Sequence, residues 1–203
     1  MHSDIVYWLN NGLYLNITNR CSNNCYFCFR RYWKGIAHFD LRLIQEPSVS
    51  QVIKDLSAHI HRRPWREVVF CGFGEPTARL DCVLQVTRWI RRYSNLKVRI
   101  DTNGHGHLLN PRREVVTELK EAGVDDVSVS LNGHNEETYN NVCKPSFPNA
   151  YEEVLKFIVN AKEPMNVEVT AVRIPEIEIA EIEKLALSFG VKFRLREYIP
   201  CFY

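Results

Sequence analysis

The sequence predicts an α/β protein in which six parallel strands form a partial (β/α)6 barrel. Six segments of strand length alternate with segments whose apolar residues recur at helical intervals, a pattern typical of parallel β/α units. Right-handed crossovers between such units curve the sheet towards a barrel. A complete eight-fold barrel typically needs about 250 residues. Six units therefore suit a chain of 203 residues.

Each element of the first half follows from its residue pattern. Segment 12–18 alternates between apolar and polar residues in the manner of a strand. Segment 48–60 has helical spacing behind a proline and a serine cap. Segment 67–72 is continuously apolar, as buried parallel strands are. Segment 79–94 is an amphipathic helix. Segment 96–104 is the third strand together with the polar residues that follow it.

The second half continues the same alternation of helices and strands. A proline near the first turn and a glycine after the last one mark the next helix. The predicted elements, in order, are a helix at 111–122, a strand at 126–132, a helix at 150–162, a strand at 166–172, a helix at 176–189 and a strand at 191–198.

Composition indicates a single globular domain, residues 1–203. The hydrophobic content of 45% and the charged content of 25% are those of a soluble protein. A net charge of +2 provides no strong attraction to nucleic acid or membrane, and no run approaches the ~18 apolar residues of a membrane span. Seven cysteines without a secretory signal favour the reducing cytoplasm over a disulfide framework.

Three cysteines crowd the loop after the first strand in the spacing C-x3-C-x2-C: Cys21, Cys25 and Cys28. Thiolates are soft ligands that select iron–sulfur clusters or zinc. A four-iron cluster normally takes four cysteines. If only three cysteines bind it, one iron keeps an open coordination position. Zinc would need a further ligand such as histidine. The nearest downstream histidine, His38, is too loosely spaced, and the pattern favours the cluster.

A C-x3-C-x-aromatic-C sequence directly after a first strand resembles the radical S-adenosylmethionine (radical SAM) superfamily. The resemblance implies a radical SAM core, an open TIM-like (β/α)6 barrel. It implies that the three cysteines hold a [4Fe–4S] cluster whose fourth iron is completed by the amino and carboxylate groups of SAM. One electron then cleaves SAM to methionine and a 5′-deoxyadenosyl radical, which abstracts hydrogen from a substrate. Phe27, between two ligands, is expected to contact the adenine.

The loop after the second strand, Gly72-Phe73-Gly74-Glu75-Pro76, resembles the GGEP motif of the family, which contacts the SAM amino group. Glycines allow the backbone to approach a ligand closely. Phe73 stands where the motif has its second glycine. This departure matters only if the backbone there requires a positive φ.

Polar residues at later strands complete the predicted cofactor site. They are Asp101, Thr102, Asn103, Ser130, Asn132 and Glu168. The first three resemble a family motif that lies beside SAM, although a plain Asn-Gly turn would also explain them. Ser130 and Asn132 are candidates to hydrogen-bond the SAM carboxylate or ribose. The alternative is that they line the barrel and bind water. Glu168, if it points inward, needs a partner, which SAM or the substrate would supply.

Basic residues leave two further interpretations open. Arg194, Arg196 and Tyr198 share a strand face, and if that face is inward they are the best anchors for an anionic substrate. The segments Arg30–Lys34 and Arg62–Arg66 combine basic and aromatic residues, which could bind RNA. We favour the interpretation that these side chains are solvated or cover the loop that carries Cys21, Cys25 and Cys28, called the cysteine loop below. The non-enzyme alternative is an iron–sulfur electron carrier or an RNA-binding protein.

The resemblance does not fix the substrate, which could be a small molecule or a peptide. Chain size and the opening and closing segments are most similar to the small radical SAM proteins associated with TatD-family hydrolases, which implies a TatD-like partner. 7-Carboxy-7-deazaguanine synthase and glycyl-radical activating enzymes are the alternatives. The family also implies an electron donor such as flavodoxin or ferredoxin.

Overall fold

Residues 3–198, which a computed structural model describes, form a mixed array of nine strands and seven α-helices. The strands are β1 (Val6–Leu9), β2 (Gly12–Leu15), β3 (Gly35–Ile36), β4 (Phe39–Asp40), β5 (Glu67–Phe70), β6 (Lys97–Thr102), β7 (Asp126–Ser130), β8 (Asn166–Arg173) and β9 (Lys192–Glu197). The helices are α1 (Val49–Ser57), α2 (Leu80–Tyr93), α3 (Gly106–Leu109), α4 (Val115–Ala122), α5 (Glu136–Cys143), α6 (Ala150–Ala161) and α7 (Ile179–Ser188).

One seven-stranded sheet organises the molecule, in the order β1-β2-β5-β6-β7-β8-β9. Its last six strands are parallel to one another, and β1 is antiparallel to β2. Spatial order follows chain order, so each helical crossover adds one strand, as right-handed β/α units do. Within residues 3–198 no pairing joins β9 back to β1. The prediction of six parallel strands in a partial barrel is confirmed.

The predicted elements recur with ends shifted by a few residues, and the short elements were missed. α1 begins at the predicted cap: Ser48 and Gln51 form a reciprocal capping box. β1 was not predicted, although Asn10 adopts a positive φ of 52° in the two-residue connection to β2, as tight hairpins require. α3, α5 and the β3–β4 ribbon were also missed because such short segments carry little periodicity.

The two faces of the sheet differ sharply in polarity. The outer face packs apolar side chains against the helices, among them Leu13, Val68, Ile100, Val129 and Val169, all without solvent exposure. Because side chains alternate along a strand, the opposite face lines the inside of the partial barrel. Its side chains are mostly polar: Glu67, Arg99, Asp101, Ser128, Ser130, Glu168, Thr170, Arg194 and Arg196.

The polar interior opens at both ends of the strands. A cavity of about 570 Å³ lies at the amino ends, where charged residues such as Lys97, Asp126 and Lys192 line it. A second cavity of about 310 Å³ lies at the carboxyl ends. The connecting loops converge on the second one, which is where α/β barrels place function. None of the helices within residues 3–198 has the length and apolarity needed to cross a bilayer.

Candidate functional site

All three cysteines of the loop after β2 line the cavity at the carboxyl ends of the strands. Cys21, Cys25 and Cys28 are each partly exposed within it. Residues following β5, β6, β7 and β9 line the same cavity, so elements distant in sequence meet there. Its volume of about 310 Å³ lies at the lower end of the range for small-molecule sites.

The two arginines after the cysteines fix the conformation of the cysteine loop. Arg30 donates from Nη2 to the carbonyl of Asn23 at 2.9 Å and from Nη1 to the carbonyl of Phe73 at 3.0 Å. Arg31 donates from Nε to the carbonyl of Cys25 at 2.9 Å. Guanidinium groups engaged with loop carbonyls have fewer N–H donors left for phosphates. The geometry therefore supports a role in covering the loop over a role in gripping RNA.

The carboxyl end of α5 holds the other side of the loop. The amide of Asn24 donates to the carbonyl of Cys143 at 2.9 Å, and the amide of Tyr26 donates to the carbonyl of Val142 at 3.3 Å. The buried thiol of Cys143 also contacts Cys25, and its hydrogen bond lowers the pKa of the Cys25 thiol. Cys143 therefore lies directly behind a predicted ligand, a position that its distance from the cysteine motif in the chain does not reveal.

The other two thiols of the loop are hard to ionise in the absence of a metal. Burial raises the pKa of Cys21 to about 12 and also raises the pKa of Cys28. Metals bind the thiolate and displace its proton. A metal group bound here would therefore have to displace protons that are held more tightly than usual.

A buried chain of hydrogen bonds lies beneath the cysteine loop. His105, with no solvent exposure, contacts Ser22 Oγ through Nδ1 at 2.8 Å and the hydroxyl of Tyr139 through Nε2 at 2.9 Å. Asn23 Nδ2 donates to the same hydroxyl at 3.1 Å, and Asn103 Nδ2 donates to Ser22 Oγ at 2.9 Å. Burial lowers the pKa of His105 to about 4, so its ring is neutral near pH 7. No sequence motif signalled this network, because its members are far apart in the chain.

The glycines after β5 are required by close contacts with the cysteine loop. A Cβ at Gly72 would lie 2.2 Å from Asn16 Oδ1, and a Cβ at Gly74 would lie 2.5 Å from the carbonyl oxygens of Thr18 and Arg20. Phe73 has no positive φ, so the position takes a side chain without backbone strain. The Phe73 ring packs edge-on against Phe29 with centroids 5.3 Å apart.

Glu75 links the loop after β5 to the end of β6. Its carboxylate is 2% exposed. Oε1 accepts from Thr77 N at 3.0 Å, from Thr77 Oγ1 at 2.7 Å and from Thr102 Oγ1 at 2.8 Å, while Oε2 accepts from Asn103 N at 2.7 Å. Both oxygens are therefore engaged within the protein, and the residue acts on the site by holding two loops together.

The structure brings most of the predicted site residues together. Those lining the cavity are Cys21, Cys25, Phe27, Cys28, Gly72, Phe73, Gly74, Glu75, Asp101, Thr102, Asn103, Ser130 and Asn132. Several use their polar atoms internally: Asp101 accepts from Arg99 at 2.8 Å, and Asn132 Oδ1 accepts from the amide of Val172 at 2.9 Å. Pro76 is buried behind the cavity wall and starts a short 3-10 turn.

Glu168 is the predicted cofactor residue that the structure places elsewhere. It lines the cavity at the amino ends of the strands, and its Oε2 accepts from Arg194 Nε at 2.7 Å. Its side chain points inward, and Arg194 on the neighbouring strand β9 supplies the partner that an inward carboxylate needs. Two residues beyond Arg194, Arg196 reaches the other end and lines the cavity with the cysteines. Tyr198 lines it as well. Cys201 lies outside the described residues.

The residues around the cysteines fit a cubane cluster with a further ligand. Within residues 3–198, no three His, Cys, Asp or Glu side chains converge as ligands of one metal ion do. A [4Fe–4S] cube requires no such convergence, because each thiolate binds a different iron. Two buried polar atoms at this cavity, Asn23 Oδ1 and Arg196 Nε, also have no hydrogen-bond partner in the described part of the chain. Such atoms are typical of a site that awaits a polar ligand.

Comparison with known proteins identifies the family. A family model described as the radical SAM superfamily matches residues 15–188. The chain belongs to the radical SAM superfamily. Radical SAM proteins are enzymes that use a [4Fe–4S] cluster and SAM, so the predictions of an enzyme and of these two cofactors are confirmed.

Named radical SAM relatives are distant and longer than this chain. The probable GTP 3′,8-cyclase of Thermococcus kodakarensis is 26% identical over 187 residues, covering 92% of this chain and 56% of that protein. The tungsten-containing aldehyde ferredoxin oxidoreductase cofactor-modifying protein of Pyrococcus furiosus is 27% identical over 192 residues, covering 88% and 49%. This chain thus spans about half the length of these curated relatives.

A solved structure with bound S-adenosylmethionine shares the fold. Streptococcus suis SuiB bound to S-adenosylmethionine superposes with a TM-score of 0.66 at 18% identity, covering 92% of this chain and 38% of that one.

Proposed function

We propose that this chain binds a [4Fe–4S] cluster through Cys21, Cys25 and Cys28 and generates a substrate radical from SAM. When bound, the cluster supplies the electron that cleaves SAM to methionine and a 5′-deoxyadenosyl radical. The observation that carries the proposal is the meeting of the cysteine loop with the Gly72–Glu75 loop in one cavity. These loops follow adjacent parallel strands, β2 and β5, so the sheet itself places them side by side.

Each loop has a distinct role in this proposal. The three cysteines hold the cluster, and Arg30 and Arg31 keep their loop in shape through its carbonyls. The backbone from Gly72 to Gly74 binds the SAM amino group, because carbonyl oxygens are the acceptors that an ammonium requires. Phe27, 8% exposed, presents an apolar surface to the adenine.

Residues after the later strands shape the cavity and limit access of water to it. Thr102 and Asn103 are tied to Glu75 and so fix the wall next to the cysteine loop. Ser130 offers a hydroxyl to the cavity. A reactive radical needs a site from which water and stray hydrogen donors are excluded, and the tight loop packing supports that requirement.

Reconstitution of the protein under anaerobic conditions tests the proposal. Wild-type protein with dithionite and SAM is expected to release 5′-deoxyadenosine, measured by liquid chromatography. Cys25→Ala is expected to lose this product together with part of its iron. Cys82→Ala is the matched control, because Cys82 is buried on α2 and does not line the cavity. Undiminished product from Cys25→Ala would refute the ligand assignment.

We propose two partners, an electron donor such as flavodoxin or ferredoxin and a TatD-family hydrolase. The sequence resemblance to TatD-associated radical SAM proteins supports the hydrolase. The relatives named above have different activities, so they do not indicate which reaction this chain catalyses. A cytoplasmic location is proposed from the free cysteines, because reducing compartments keep thiols unpaired. Co-purification of a TatD-like hydrolase with the tagged protein tests that partner.

A further inference from the structure

Arg196 differs from the other charged groups at the cavity of about 310 Å³ that the three cysteines line, called the cysteine cavity below. It lies on the inner face of β9 and lines the cavity with the three cysteines. Its Nη2 donates to Ser130 Oγ at 3.0 Å. Its Nε is buried and has no hydrogen-bond partner within residues 3–198. A guanidinium group has five N–H donors, so most of its hydrogen-bonding capacity is unused.

The other charged groups lining the cavity are already engaged within the protein. Asp101 pairs with Arg99 at 2.8 Å, and Glu197 pairs with Arg173 at 3.1 Å. Glu75 accepts four hydrogen bonds, and Arg30 donates to loop carbonyls. Among the charged residues at this cavity in the described part of the chain, Arg196 is the one that combines the lack of an ion pair with a buried N–H that has no hydrogen-bond partner.

An inward cation that forms no ion pair is unfavourable for the folded protein. Desolvation lowers the pKa of Arg196 by more than the attraction of the nearby Asp101 and Cys71 raises it. Proteins normally pair or solvate such a group. Arg194, two residues earlier on the same face, illustrates the usual solution, because Glu168 neutralises it at 2.7 Å. The difference between these two arginines indicates that Arg196 receives its counter-ion from outside the chain.

We propose that Arg196 binds an anionic group, a carboxylate or a phosphate, of the substrate that enters the cysteine cavity. The inference rests on the proposed function and adds a substrate class to it. In that function the carboxylate of SAM binds iron, which leaves the guanidinium for the second molecule. The planar fork of arginine suits the paired oxygens of a carboxylate or phosphate, and the Ser130 hydroxyl beside it adds a further polar contact.

Binding measurements on the cluster-loaded protein with SAM present test this proposal. The probes are GTP, inorganic pyrophosphate and succinate, with guanosine as the uncharged counterpart of GTP. We expect at least one anion to bind the wild type and to bind Arg196→Gln about ten-fold to a hundred-fold more weakly, as for the loss of a hydrogen-bonded charge pair. Arg196→Lys should lie between them. Arg194→Gln, the control on the same strand, should bind as the wild type does.

Three binding results would overturn the proposal. The first is that no anion of the panel binds the wild type. The second is that Arg196→Gln binds the anion as tightly as the wild type. The third is that Arg196→Gln weakens SAM binding ten-fold or more, because Arg196 would then serve the SAM carboxylate. Release of 5′-deoxyadenosine by the wild type separates failure of this proposal from failure of the proposed function: the wild type should cleave SAM even if none of the anions binds.

A stability measurement checks the unpaired cation without any ligand. In urea unfolding of the cluster-free protein, Arg196→Gln should unfold at the same or a higher urea concentration than the wild type, because it removes a desolvated charge. Arg99→Gln, which breaks the pairs with Glu67 and Asp101, should unfold at a lower concentration. A lower midpoint or loss of folding in Arg196→Gln would show that the guanidinium is structural, which contradicts the proposal.

Discussion

Replacing Glu75 by glutamine probes how the cysteine cavity is held together. The carboxylate accepts four hydrogen bonds at 2.7 to 3.0 Å, and all four come from within the protein. Glutamine has the same shape but replaces one oxygen by an NH2 group. The best orientation keeps the amide oxygen at the Oε1 position and sets the NH2 against the amide of Asn103. One acceptor is lost, and two donors then face each other.

The expected destabilisation follows from two costs and one opposing gain. Losing a charged hydrogen bond costs about 1.5–3 kcal/mol, and leaving the buried Asn103 N–H unsatisfied adds about 1–3 kcal/mol. Burying a neutral amide instead of a carboxylate offsets part of this sum. We expect a net loss of about 3 kcal/mol in the free energy of unfolding.

Urea unfolding of the cluster-free protein under reducing conditions measures this loss. The matched control is Glu183→Gln on α7, an exposed glutamate, which should change the free energy of unfolding by less than about 0.5 kcal/mol. Hydrogen exchange should also show faster exchange of the Asn103 amide in Glu75→Gln.

A small effect would show that Glu75 is already neutral. Burial raises the pKa of Glu75, whereas its four donors favour the ionised form. The amides of Thr77 and Asn103 cannot accept a proton, so we expect the donors to prevail near pH 7. If Glu75→Gln costs less than about 1 kcal/mol, the carboxyl group is protonated in the wild type and this reasoning is wrong.

Three further predictions concern the surroundings of the cysteine loop. His105 has its pKa lowered from 6.5 to about 4 by burial, so the unfolded chain takes up a proton first as the pH falls. The stability that His105 contributes as a neutral side chain is complete above pH 6.5, and about 3 kcal/mol of it should be lost as the pH falls towards 4. Urea unfolding of the wild type and of His105→Asn over this pH range should show that loss as a pH-dependent difference in the free energy of unfolding. A difference that does not change with pH contradicts the prediction. Gly74→Ala would put a Cβ 2.5 Å from two backbone oxygens. It should lower stability and iron content more than Gly190→Ala, whose Cβ would meet nothing within 4 Å and which adds only the strain of a φ of 72°, about 1–2 kcal/mol; equal losses would argue against the contact. Cys143→Ala removes a hydrogen-bond donor from Cys25 and should make the midpoint potential of the reconstituted cluster more negative in an EPR-monitored redox titration. An unchanged potential would mean that the two thiols do not interact once the cluster is bound.

The strands, long helices and cysteine motif could be read from the sequence because each depends on local patterns. Apolar periodicity distinguishes a buried strand from an amphipathic helix, and each crossover adds its strand next to the previous one. The spacing of Cys21, Cys25 and Cys28 needs no long-range information either. The short helix α5 was missed, and with it the placement of Cys143 behind Cys25, because its eight residues are mostly polar and carry little apolar periodicity.

Tertiary structure alone decided what the polar side chains contact. Alternation along β8 and β9 places Glu168, Arg194 and Arg196 on one face, but it does not determine which pairs form across strands. That depends on the register: Glu168 meets Arg194 near the amino ends, and Arg196 lies at the cysteine cavity without forming an ion pair within the described residues. Register and sheet curvature arise from contacts between residues far apart in the chain, and for this reason local patterns could not reveal the unpaired guanidinium.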